Sequence, residues 1–211
     1  MPTRLDPLPG TEVDVAVQLD RDVDDGLLVP YVEGSGLFPQ EMPAGIYKQL
    51  EQEELLEWVF PGWDKVKLSD FMKIAITESH FPVFGFSRSE EKVAGIGWLF
   101  EVEGPENFRK ASLGFAFFRK FHHSDLIRSL ARQAVRWWFE RLKLCVLYGA
   151  TRRSNRATMW FASELGFSLV GLAPRFFVQN GKAEDAFLYC IVRENVQGLD
   201  SQPDSSTLTE R

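Results

Sequence analysis

The clearest signal in the chain is a change of hydrophobic period after Phe81. Pro82–Arg88 and Lys92–Val102 are strand-length apolar blocks separated by the polar turn Glu90–Glu91, and Ala111–Phe118 is a third. Asp125–Leu142 then switches to helical spacing. Ile127, Leu130, Ala131, Ala134 and Trp138 recur three or four residues apart and mark one face for burial. Leu144–Ala150 predicts another strand, Asn155–Leu165 a short helix, and Gly166 the left-handed residue that ends it. Ser168–Val178 and Asp185–Val192, joined through Asn180–Gly181–Lys182, predict a closing hairpin.

Ahead of residue 82 the pattern is weaker. Val13, Val15 and Val17 alternate with polar or small residues as in a strand, and Gly34–Ser35–Gly36 marks a loop. Ile46–Phe60 reads as a helix stopped by Pro61–Gly62, and Ser69 is placed to cap a helix running through Ser79. The expected division is an acidic N-terminal segment with early helices of the same domain (1–81), a core (82–194) and a disordered polar tail (195–211). Three strands, a helix, a strand, a helix and two strands predict an α+β fold, its sheet mixed and mostly antiparallel.

Composition narrows the class. The 211 residues are 45% hydrophobic and 26% charged, as in soluble globular domains. No apolar run approaches the roughly 18 residues of a membrane span, and Met1–Gly10 has no signal pattern, so a cytoplasmic protein is expected. Cys145 and Cys190 sit in apolar runs and read as buried free thiols rather than a disulfide or metal site. Net charge is −6, unevenly placed: residues 1–60 carry 3 basic and 13 acidic side chains, leaving the body mildly basic. Arg128, Arg132 and Arg136 form a stripe that reads as a solvated helix face. Phe115, Phe117, Phe118, Trp137, Trp138 and Phe139 fall at core spacing, which argues against a base-stacking platform for nucleic acid.

Three stretches then carry a family likeness in their order and spacing: Val93–Ala94–Gly95–Ile96–Gly97, Asn155–Phe167 (NRATMWFASELGF) and Asn180–Glu194 (NGKAEDAFLYCIVRE). Together they resemble the GNAT superfamily of N-acetyltransferases, in particular the branch that acetylates ribosomal-protein N-termini. The resemblance implies a V-shaped splay between Ala111–Phe118 and Leu144–Ala150, where pantetheine pairs as a false strand. It implies acetyl-CoA as co-substrate, with no metal and no membrane, and a primary amine of a protein N-terminus or small molecule as acceptor. Carried over by motif, the cofactor-binding residues are Phe117, Phe118, Arg119, His123, Ser124, Asp125, Leu126 and Asn155. The pyrophosphate would sit at the start of the long helix, on its free amides and positive dipole end.

The sequence also departs from that family. Its two loop glycines fall at His123 and Asp125, which should narrow the phosphate cradle, although Arg119, Lys120 and Arg128 flank it. Ser124 reads either as a phosphate donor or as an ordinary helix cap. The tyrosine that protonates the departing thiolate in many relatives is Ala162 here. Glu101 and Glu103 are candidates to remove the amine proton, Tyr148 to act as acid, and His80 is a further candidate. Two readings therefore stand: an N-acetyltransferase working by direct attack, and an inactive GNAT-fold module that docks a protein, for instance through its acidic leading segment.

Overall fold

A computed structural model describes residues 25–31, 38–77, 80–106 and 108–197. The strand expected around Val13–Val17, the Gly34–Gly36 loop, Ser79 and the tail beyond Gln197 lie outside the described residues. Seven strands form one sheet: β1 Gly26–Pro30, β2 Val83–Ser87, β3 Lys92–Glu103, β4 Arg109–Phe117, β5 Leu144–Arg152, β6 Ser168–Gln179 and β7 Lys182–Val192. Their spatial order is β1-β2-β3-β4-β5-β7-β6, and every pair is antiparallel except β4–β5. This is the α+β architecture that the hydrophobic pattern predicts. Strand β1 carries no signal strong enough to be read in sequence, and it completes the edge by pairing with β2.

One face of the sheet is covered by α4, Asp125–Leu142, with the bounds its periodicity predicts. All five stripe residues are buried, joined by Val135, Phe139 and Leu142. Arg128 and Arg132 are half-buried rather than solvated. The first lies 5.9 Å above the Trp160 ring and the second donates to Glu164 O, so the stripe faces the next helix, α5, Arg156–Glu164. Gly166 follows α5 at φ +79°, and Phe167 N–H closes back on Ala162 O at 3.0 Å, which is the left-handed terminator expected there. A short α6, Arg193–Gln197, follows β7 where the sequence pattern predicts no helix.

The opposite face carries the early helices, and here sequence and structure differ. The helix expected over 46–60 is two: α1 Met42–Gln52 and α2 Leu56–Val59. Glu54 stands at φ +56° between them, and Leu55 N–H reaches back to Leu50 O at 2.9 Å. That break buries Leu55 and Phe60 instead of leaving them on a continuous cylinder. Ser69 does not cap the next helix. It sits inside α3, Leu68–Phe71, where the Asp70 carboxylate accepts from Lys67 N–H, and a π-helical turn over Met72–Ile76 follows. Cys145 and Cys190 are free thiols, half-buried rather than fully buried.

Glycines at the centre of the sheet have a steric cause. A β-carbon on Gly95 would lie 2.4 Å from Phe117 Cδ1, and one on Gly97 would lie 2.6 Å from Phe115 Cε1 and 2.9 Å from Trp138 Cη2. The two β4 rings therefore lean across β3 beneath α4. On the other face the relation is reversed: Trp98 of β3 lies across Gly114 of β4, where a β-carbon would meet its Cζ2 at 2.4 Å. Gly97→Ala should lower stability by about 1–3 kcal/mol through this overpacking, measured by urea unfolding at unchanged m-value.

Asp25 pins the β1 edge to the β2–β3 turn. Its carboxylate accepts from Ser89 N–H at 2.5 Å and from the hydroxyls of Ser87 and Ser89 at 2.7 and 2.8 Å. The Ser89 amide first, then the two hydroxyls, holds its carboxyl below the ordinary 3.8. A depressed folded value means that the contribution is complete above 3.8 and is lost as pH falls through the folded value. Asp25→Asn should therefore lower Tm at neutral pH, and its gap to wild type should narrow progressively as pH falls below 3.8.

Candidate active site

The β4–β5 pairing runs only from Arg109↔Leu144 to Ser112↔Tyr148. Beyond it β4 stays paired with β3, and β5 stays paired with β7 through Arg152↔Ala186. The sheet therefore opens into a V. Phe118 N–H bonds to Ala94 O on the β3 side at 3.0 Å, so by strand alternation Leu113, Phe115 and Phe117 turn their amides and carbonyls into the V. His122 Nε2 meets one of them, Phe117 O, at 2.9 Å, and so carries the ring proton as donor. The Phe115 and Phe117 side chains do not fill the opening, because the β3 glycines take them, and Phe161 packs edge-on against Phe117 at 5.7 Å.

At the end of the V, a 3₁₀ turn Arg119–Phe121 leads into α4. His123, at an expected glycine position, has φ +66°, so the backbone keeps the glycine-type conformation with a different side chain. Ser124 stands at the N-cap but makes no side-chain cap; its hydroxyl donates to Phe121 O at 2.7 Å. The first-turn amides of α4, including that of Leu126, are thus left without a serine cap, which suits an anion. Asp125 points outward and pairs with Arg128, while Lys120 pairs with Glu90, so two of the three flanking cations already have carboxylate partners. Arg119 donates its amide to Glu53 Oε2 at 2.6 Å and its Nε to Glu53 O at 2.8 Å, tying this loop to the end of α1. Phe118 is buried on the β3 side, and Asn155 caps α5 by accepting from Thr158 N–H at 3.1 Å.

The α1–α2 face of the V gathers a different chemistry. An irregularity between Phe100 and Glu103 sets Glu101 at φ +56°, and Ser112 Oγ donates to its Oε2 at 3.2 Å. Ser112 lies beside Tyr148 in register at the point where the strands part, so Glu101 and Tyr148 flank one serine on one face. Glu103 sits farther out, in an exposed ion pair with Lys110 at 3.2 Å. His80 is held apart: its Nδ1 lies 2.5 Å from Ile74 O at the end of the π-helical turn.

Arg152, from the end of β5, donates to Glu57 O at 3.0 Å, lies 5.3 Å from the Trp58 ring and faces Glu184 at 3.8 Å. The β6–β7 turn reaches the loop that follows α2, through Gln179 to Trp63 O and Asn180 N–H to Asp64. Ser112 beside Glu101 and Tyr148, and Arg152 beside Glu184, escape sequence reading because only the folded sheet brings each set together. A separate cleft of about 710 Å³ between α5 and β6–β7, with Arg156, Trp160 and Tyr189 in its wall, includes neither Phe117 nor Phe161.

Residues 39–168 match the acetyltransferase (GNAT) domain family. The chain belongs to the GNAT acetyltransferases. This GNAT chain is therefore an N-acetyltransferase, and the matched span takes in two of the three motifs that carried the likeness, Val93–Gly97 and Asn155–Phe167. Solved structures agree in fold at low identity. The ribosomal-protein-S5-alanine acetyltransferase of Vibrio fischeri has TM-score 0.62 at 14% identity, covering 80% of this chain and 94% of that one. The spermidine N-acetyltransferase of Vibrio cholerae, in complex with CoA and spermine, has TM-score 0.65 at 13% identity, covering 82% and 98%. Mycobacterium smegmatis RimJ, in complex with CoA-disulfide, has TM-score 0.64 at 15% identity, covering 83% and 88%. No curated protein sequence matches the chain. No described helix is long and apolar enough to cross a membrane.

The strained histidine in the GNAT loop gives a direct test. Left-handed backbone costs a non-glycine residue roughly 1–2 kcal/mol, and glycine loses about 0.5–1 kcal/mol of that gain to unfolded-state entropy. His123→Gly should therefore raise stability by about 0.5–1 kcal/mol in urea unfolding. Loss of stability would mean that the imidazole makes contacts outweighing the strain.

Proposed function

We propose that this GNAT enzyme transfers an acetyl group from acetyl-CoA to a primary amine by direct attack. The observation that carries this reading is the β4–β5 ladder ending at Ser112↔Tyr148, beside a helix start with no serine cap. In this reading the pantetheine lies along Leu113–Phe117 and pairs with the amides and carbonyls turned into the V. The pyrophosphate rests on the backbone of His123, Ser124, Asp125 and Leu126, with Arg119 and Arg128 alongside. His122 releases Phe117 O when the ligand takes its place.

The amine enters from the α1–α2 face. Its nitrogen forms a bond to the thioester carbon as the C–S bond breaks. The amine proton passes to Glu101, through Ser112 or a water, and Tyr148 protonates the departing thiolate. The rate gain comes from orientation more than from covalent participation. The acceptor lies between the α2 loop and the β6–β7 turn and is a protein N-terminus or a small amine. The proteins named for S5 alanine and spermidine, both of this fold, support that range.

Acetyl-CoA at about a hundredfold above its Kd should raise Tm by about 5–10 °C. Glu101→Gln should leave that shift in place and slow transfer to an amine such as spermidine or an N-terminal peptide about a hundredfold. No shift at millimolar acetyl-CoA would overturn acetyl-CoA as the donor held in the V.

A further inference from the structure

Trp98 is 1% exposed, yet its indole N–H has no hydrogen-bond partner, one of only four such buried side-chain atoms among the described residues. An unpaired buried N–H is costly to folding, so its persistence calls for a physical reason. Geometry supplies one. Trp98 and Gly114 face each other across β3–β4, two residues past the last β4 residue paired with β5. A β-carbon at 114 would lie 2.8 Å from Nε1, so only glycine lets the N–H edge of the indole extend across β4. Phe60 stacks on the indole at 5.5 Å and 17°, fixing its plane from the α2 side. The neighbours of Gly114 in β4, Leu113 and Phe115, are those that turn their backbone into the V.

We propose that the Trp98 indole N–H is a donor to the carbonyl oxygen of the bound thioester. The inference builds on the acetyl-CoA reading above and goes beyond it by naming the group that polarises the acyl carbon. As the amine nitrogen bonds to that carbon, the C=O electron pair moves onto oxygen. It returns as the C–S bond breaks, and a preorganised donor in a water-excluded site stabilises the charge in between. The same hydrogen bond satisfies the orphan N–H, so the donor is matched only when the acyl group is in place.

The test uses CoA and the ketone analogue of acetyl-CoA in which CH₂ replaces sulfur, so that no acceptor is needed. The chain has six tryptophans, and comparison with Trp98→Phe assigns the Trp98 indole resonance in ¹H–¹⁵N spectra. The expected result is a downfield move of that resonance with the ketone analogue and not with CoA. In calorimetry, wild type should prefer the analogue to CoA, and Trp98→Phe should lose about tenfold of that preference while binding CoA unchanged. If that variant folds poorly, replacing each of the five other tryptophans in turn assigns the same resonance, and the wild-type spectrum still decides the matter. An indole resonance that responds alike to both ligands, or a Trp98→Phe variant that keeps the preference, overturns the donor role while leaving the acetyl-CoA reading intact. Failure of both ligands to bind strikes at that reading instead.

Discussion

The site depends on a steric exchange between β3 and β4, in which each strand gives up side chains where the other places rings. Gly95 and Gly97 receive Phe117 and Phe115 beneath α4, and Gly114 receives Trp98 on the opposite face. Without that exchange three large rings would have to stand upright on the sheet or swing toward β5, into the opening. The glycines lower intrinsic strand stability, and buried aromatic area offsets the loss. The opening is therefore a consequence of how the central pair packs, set before any ligand arrives.

Charge around the opening is arranged with less slack than the sequence implies. The cations flanking the helix start are engaged by Glu53, Glu90 and Asp125, and α4 spends Arg128 and Arg132 on α5. These contacts are largely exposed and individually weak. Their effect is to fix loop shape more than to build a strong field. An anion held there would rely chiefly on backbone amides.

Much of the fold was legible because its main elements obey one period each. The stripe of α4, the turn at Asn180–Gly181 and the terminator at Gly166 all announce themselves locally. What escaped has physical causes. Strand β1 is five residues held by pairing and by Asp25, neither visible in a linear pattern. The break at Glu54 occurs at a residue with no turn preference, imposed by burial of Leu55 and Phe60. At the site, the glycine positions of the family could be aligned to His123 and Asp125, yet only the φ of His123 shows that the first of them has a glycine-type backbone. Ser112 and the unpartnered Trp98 N–H become meaningful only through register, because neither residue type marks a function by itself.

The parallel seam between β4 and β5 is four residue pairs long, and it joins one half-sheet of four strands to another of three. Past that seam each half ends in an edge whose polar groups have lost their lateral neighbour. A ligand laid there in the proposed manner would act as an eighth strand and join the two halves into a continuous ladder. Among the described residues the only direct backbone pairing between the two halves is that of Arg109–Ser112 with Leu144–Tyr148, so any group that pairs with both edges beyond it adds to a short joint.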